Sequence, residues 1–156
     1  MTSQGLKEIF VYGTLLPGEA NFQQIATMLA GREAARTRGR LFHLPLGGYP
    51  ALMEAEEGWV QGELLRFNEP IEKVLDKCDR IEGYQPDDEE SSLFIRVAKQ
   101  VEPEGGASKE AWCYIVGPAL REESLREGQE VDDGDWLAFR KRRSGQDKTA
   151  LEPYEA

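Results

Sequence analysis

The longest apolar runs in this chain, such as Ile9 to Tyr12 and Ala111 to Val116, span only four to six residues, with glycine and proline punctuating the spaces between them. Runs that short build strands rather than membrane spans, because crossing a bilayer takes about 20 apolar residues. Ile9-Phe10-Val11-Tyr12 is β-branched and aromatic, ends at Gly13 and is followed by Pro17-Gly18. It predicts a buried strand emptying into a loop. Phe22, Ile25, Ala26 and Leu29 recur at helical spacing before Gly31, which predicts a first helix over about residues 21–30. Further extended segments are expected at residues 41–44, 49–53 and 59–67, separated by Pro45, Gly47-Gly48 and Gly58.

Asn68-Glu69-Pro70 has the form of a helix start, with a capping side chain, an early acid and a proline where no backbone donor is needed. Ile71, Val74, Leu75, Cys78 and Ile81 then make one apolar stripe that stops at Gly83. Leu93, Ile95, Val97 and Val101 alternate with Arg96 and Gln100, and Gly105-Gly106 separates them from residues 111–116, as in a hairpin. Residues 136–139 suggest a last short strand. Six or seven short strands and two helices that do not alternate one for one predict an α+β fold on a mostly antiparallel sheet or small barrel.

The length of 156 residues favours one domain, read as residues 1–143, followed by a flexible tail at 144–156. Nineteen basic against 29 acidic residues give a formal charge of −10. Such a field repels polyanions, so neither nucleic acid nor an anionic membrane is expected as a partner. Residues 87–90 are four consecutive acids, and residues 121–135 carry seven acids against Arg121 and Arg126. Both stretches are expected on the surface, the second as a solvated connection. The basic run Arg140-Lys141-Arg142-Arg143 is expected to be the solvated end of the fold. Two cysteines and no secretory pattern point to the cytosol rather than to a disulfide framework. Nothing in the sequence sets the oligomeric state.

Phosphate-loop, dinucleotide, nucleophile-elbow and Cys-x-x-Cys signatures are absent. One histidine and two distant cysteines make a metal site unexpected. His43 between Phe42 and Leu44 reads as a packing residue, and Cys78 on the helix stripe reads as a buried thiol. Two features remain. The loop Tyr12-Gly13-Thr14-Leu15 follows a strand and can aim consecutive backbone N–H groups at an anion. Glu82 ends an apolar helix stripe ahead of Gly83-Tyr84, where partial dehydration raises a carboxyl pKa. On geometry alone, an ordinary connection accounts for the loop and tolerated surface charge for the acid.

Taken in order, Val11-Tyr12-Gly13-Thr14-Leu15, Gly48-Tyr49-Pro50-Ala51-Leu52, Asp79-Arg80-Ile81-Glu82-Gly83-Tyr84, the strand with Arg96 and Val97, and Ala111-Trp112-Cys113-Tyr114 resemble the γ-glutamylcyclotransferase-like, or AIG2-like, family. The resemblance runs from about Ile9 to Phe139. It implies a small mixed β-barrel flanked by helices. It implies a cofactor-independent enzyme that releases 5-oxoproline from a small γ-glutamyl substrate by attack of the substrate's own α-amino group. Glu82 stands at the position of the family's catalytic acid, and Tyr12, Gly13, Thr14 and Leu15 at its substrate-binding loop. Tyr114 either lines the same cleft or packs in the core.

Two departures bear on the substrate. Phe94-Ile95-Arg96 replaces the family's Tyr-x-Arg, removing a hydroxyl. Tyr-Gly-Thr-Leu replaces Tyr-Gly-Ser-Asn, which brings the chain nearer to the branch acting on γ-glutamyl amines and related conjugates. The alternatives are a non-catalytic binding protein for a γ-glutamyl or other small carboxylate ligand, and an interaction module using the acidic stretches. An acid in the pocket favours the enzyme, since it opposes mere capture of an anion.

Overall fold

The computed structural model describes residues 5–146. In chain order the elements are β1 (Glu8–Val11), two single 3-10 turns (Phe22–Gln24 and Ala26–Met28), β2 (Leu29–Arg38), β3 (Arg40–Leu44), β4 (Tyr49–Met53), β5 (Trp59–Phe67) and α1 (Ile71–Glu82). A third 3-10 turn (Glu89–Ser91), β6 (Phe94–Pro103), β7 (Lys109–Val116), α2 (Pro118–Glu127), β8 (Gln129–Glu130) and α3 (Trp136–Gln146) complete it.

Five strands close a barrel in the order β1-β5-β2-β6-β7. Every neighbouring pair is antiparallel except β1 with β7, which is parallel in the register Phe10 opposite Cys113. The strands β4, β3 and β8 form a separate small sheet. The α+β expectation therefore holds, as a mixed, mostly antiparallel barrel flanked by three helices.

Strand alternation splits the core in two. Phe10, Tyr12, Val60, Leu64, Val101 and Cys113 belong to one buried cluster. Ile9, Val11, Leu65, Tyr114 and Val116 belong to another, which they share with Val74, Leu75 and Cys78 of α1. The stripe read from α1 is thus the face laid on the barrel. Gly83, at φ 68°, ends the helix in the left-handed conformation, and the Tyr84 N–H donates to the Asp79 carbonyl at 2.9 Å. Asn68 does not cap the helix through its side chain; its backbone N–H donates to Met28 O at 2.8 Å.

Four other expectations are corrected. No first helix spans residues 21–30, because the 3-10 turns bury Ile25 and Met28 and the chain enters β2 at Leu29. The Asn21 side chain, rather than starting a helix, donates from Nδ2 to Thr14 Oγ1 at 2.9 Å. The acids of residues 121–135 do lie on the surface as expected, but the stretch is not a mere connection: it holds most of α2, which buries Ser124, and β8, which pairs with β3. Residues 136–139 form the start of α3 rather than a strand, since Asp135 Oδ1 accepts the Ala138 N–H at 3.1 Å and caps a helix. The basic run is consequently tied to the fold: Arg140 pairs with Glu19 at 2.6 Å, Arg142 with Asp133 at 3.3 Å, and Arg143 donates to Gln129 at 2.8 Å. Of the expected tail at 144–156, residues 147–156 lie outside the described residues.

Candidate active site

A cavity of about 210 Å³ opens where β1 empties into residues 12–15, between that loop, the end of α1 and the start of β6. Gly13, Thr14 and Leu15 line one wall and Ile81 and Glu82 another, so the two features singled out in the sequence share one space. Tyr12 lines it too, with a side chain engaged elsewhere: its hydroxyl donates to Tyr114 O at 2.7 Å and accepts the Leu52 N–H at 3.2 Å.

The loop is a tight turn, with the Leu16 N–H on Gly13 O at 2.9 Å and the Asn21 N–H on Thr14 O at 2.9 Å. Among the described residues, no acceptor takes the N–H groups of Gly13, Thr14 or Leu15. Three successive amide donors are thus left unpaired beside a cavity, a cradle of the kind that can receive an anion. Gly13 serves through size rather than through an unusual φ, because a Cβ there would stand 2.5 Å from Pro50 Cγ.

Glu82 is partly buried, and its carboxyl has no hydrogen-bond or ion-pair partner among the described residues. Burial pushes its pKa from 4.5 up to about 7. A carboxyl poised there is populated in both protonation states near neutrality, the condition under which one group takes and then returns a proton.

One turn earlier on α1, Asp79 accepts Arg96 Nε at 2.9 Å and Nη2 at 3.1 Å, a bidentate pair joining α1 to β6. The Tyr114 hydroxyl donates to Asp79 Oδ1 at 2.6 Å, joining β7 as well. Burial raises the Tyr114 phenol far above its ordinary pKa, so it remains a donor. Arg96 also stacks on Trp112, 4.7 Å from the ring centroid. Tyr114 therefore meets both walls: its side chain holds Asp79, three residues before Glu82, and its carbonyl holds Tyr12, the residue before the cradle. The sequence showed these residues only as parts of motifs; Asp79 and Glu82 at i and i+3 on one helix face was the available signal.

The other sequence candidates lie elsewhere. His43 is buried, its Nδ1 accepts Trp136 Nε1–H at 3.1 Å, and burial followed by the charges of Arg143 and Arg140 lowers its pKa to about 4. Burial raises the thiols of Cys78 and Cys113 to about 12, far from a reactive thiolate. Among the described residues, no group of three or more His, Cys, Asp or Glu side chains could hold a metal ion, and no helix is long and apolar enough to cross a membrane.

The cavity that joins amide donors on one wall to a dehydrated carboxyl on another has the size and lining suited to a small molecule. The family follows from comparison: the profile described as gamma-glutamyl cyclotransferase, AIG2-like, matches residues 9–138, and the chain belongs to that family. It is 32% identical over 137 residues, 86% of its length and 78% of the relative's, to the gamma-L-glutamyl-butirosin B gamma-glutamyl cyclotransferase of Niallia circulans. The crystal structure of YkqA from Bacillus subtilis superposes with a TM-score of 0.59 at 26% identity, covering 92% of this chain and 42% of that one. An aig2-like protein from Mus musculus shares the fold, with a TM-score of 0.54 at 24% identity over 72% of this chain and 78% of the other. Membership in this family supports an enzyme of the cyclotransferase type.

Proposed function

We propose that the protein releases 5-oxoproline and a free amine from a γ-glutamyl amine or related γ-glutamyl conjugate, with Glu82 as the proton carrier and no cofactor. The observation that carries this reading is the sharing of one small cavity by the unpaired amides of residues 13–15 and the Glu82 carboxyl. In the proposed reaction the substrate carboxylate rests on the amide cradle of residues 13–15, with Tyr12 lining the same cavity. The Glu82 carboxylate takes a proton from the α-ammonium, and the resulting amine attacks the γ-carbonyl carbon. A new C–N bond forms, and negative charge gathers on the carbonyl oxygen within reach of backbone donors.

Collapse of that intermediate breaks the original C–N bond as Glu82 returns a proton to the departing nitrogen. Over the cycle two protons pass from the α-nitrogen to the departing one, and no water is consumed. The nucleophile belongs to the substrate, which accords with buried, unreactive cysteines. Folding the γ-glutamyl chain into a near-cyclic shape in so small a space lowers the entropic part of the barrier.

Purified protein incubated with γ-glutamyl amines, amino acids and peptides, with 5-oxoproline measured, tests the reading. Wild type is expected to form product and Glu82→Gln to lose it. Tight ligand binding by both proteins without product from either would replace the enzyme with a binding protein.

A further inference from the structure

Asn21 lines the cavity beside Thr14 and holds it twice: its N–H donates to the Thr14 carbonyl and its Nδ2 to the Thr14 Oγ1, each at 2.9 Å. Its Oδ1 is turned away and accepts Gln24 Nε2 at 3.4 Å. The direction of the side-chain bond decides where a proton goes. An amide nitrogen only donates, so Oγ1 is the acceptor, and the hydroxyl has its single proton to give elsewhere. Among the described residues, no acceptor takes that proton. The Thr14 hydroxyl is therefore an unengaged donor next to the three unpaired amides of residues 13–15. The rest of the lining makes this donor matter. Among the described residues that line the cavity there is no lysine, arginine or histidine, so an anion there is held by neutral donors. A carboxylate offers about four lone-pair sites on its two oxygens, more than three amides fill.

We propose that Asn21 is a positioning residue that turns the Thr14 hydroxyl proton toward the substrate carboxylate, making that side chain a fourth donor beside the amides of residues 13–15. The place of the carboxylate rests on the proposed function; the direction of the hydroxyl rests on the Asn21 bond alone. The Asn21 backbone, at φ −96° and ψ −6°, suits any residue, so the side chain carries the role. Without the amide, the hydroxyl rotates and spends its proton on water or on the cavity without preference. With it, the donor is aimed before the substrate arrives, and less rotational freedom is lost on binding.

Steady-state release of 5-oxoproline from γ-glutamyl-propylamine separates this role from a brace within the turn. Thr14→Val keeps the side-chain shape and is expected to raise KM about ten- to a hundredfold, as for loss of a hydrogen bond to a charged group, with kcat changed less than about twofold. Thr14→Ser recovers most of that loss. Asn21→Ala is expected to raise KM about three- to tenfold. Added to Thr14→Val it costs nothing further, because no hydroxyl remains to be aimed. Equal losses from Asn21→Ala with and without the hydroxyl overturn the proposal, as does a Thr14→Val protein with the KM of wild type or with a loss in kcat alone. Calorimetric titration of γ-glutamyl-propylamine into Glu82→Gln, alone and combined with Thr14→Val or Asn21→Ala, reads the same donors without turnover. Binding that weakens with either added substitution, while wild type forms no 5-oxoproline, overturns the reaction and upholds the positioning role. No binding by Glu82→Gln and no product from wild type overturn both.

Discussion

Glu82 and His43 are both titratable groups taken out of water, and their surroundings make them opposites. His43 is walled in: Trp136 donates to one ring nitrogen, Phe139 packs with its centroid 5.2 Å away, and Arg140 and Arg143 bias it toward neutrality. Glu82 lines a cavity that unpaired amides also line, and among the described residues its carboxyl has no partner. A perturbed pKa alone nominates both residues. Only the open space and the complementary donors separate a reactive group from a packed one.

The largest expected difference is in turnover. Glu82→Gln is expected to lower kcat about 10² to 10⁴-fold, whereas His43→Leu leaves the 5-oxoproline rate of the folded protein within about twofold. A large loss in the histidine variant, or a small one in the glutamine variant, breaks the contrast. In wild type, kcat/KM for a γ-glutamyl amine should rise with pH and level off above about 7, because the base form of Glu82 is required and its pKa is about 7. Below that point the slope is tenfold per pH unit. An acid limb near 4.5 instead would show a carboxyl in ordinary water.

Stability sharpens the comparison further. Between pH 4.5 and 7 native Glu82 retains a proton that the unfolded chain has released, so its contribution is lost as pH rises through that window. His43 is the reverse: its pKa falls from 6.5 to about 4 on folding, so its contribution is present above 6.5 and lost as pH falls toward 4. The two slopes oppose each other between pH 4.5 and 6.5. Relative to wild type, urea denaturation of Glu82→Gln should show stability rising more with pH, and His43→Leu falling more, each by at most about 1.4 kcal/mol per pH unit. His43→Leu also leaves the Trp136 N–H buried without an acceptor, at about 1 to 3 kcal/mol. A smaller loss of turnover than in Glu82→Gln is expected for Tyr114→Phe, which keeps the ring and the carbonyl bond to Tyr12 but leaves Asp79 with Arg96 alone. It should lower kcat several-fold with KM little changed, because the acid side loosens and the cradle does not.

Legibility in the sequence followed locality. The α1 stripe and Gly83 placed Glu82 at a helix end, since a 3.6-residue period and a left-handed glycine are written within a dozen positions. β2 leaves little trace in the sequence because its buried residues, Ala35 and Thr37, are too small to mark an apolar alternation among Arg32, Glu33, Arg36 and Arg38. The aromatic start of α3 reads as a strand, and Asp135 marks a helix only once its carboxylate meets the Ala138 N–H. The Asp79 network joins residues 17 and 35 positions apart, a pairing that barrel closure creates and no local pattern encodes.

That closure also fixes an order of events. β1 has two neighbours, β5 and β7, and the parallel seam sets Phe10 beside Cys113, about a hundred positions later in the chain. Until the β6–β7 hairpin is made, the first strand has one edge open, and the Tyr12 hydroxyl lacks the Tyr114 carbonyl that anchors it. The loop that follows β1 therefore gains its anchor only from a strand about a hundred positions further along, so under the proposed function a partly made barrel would not grip its substrate.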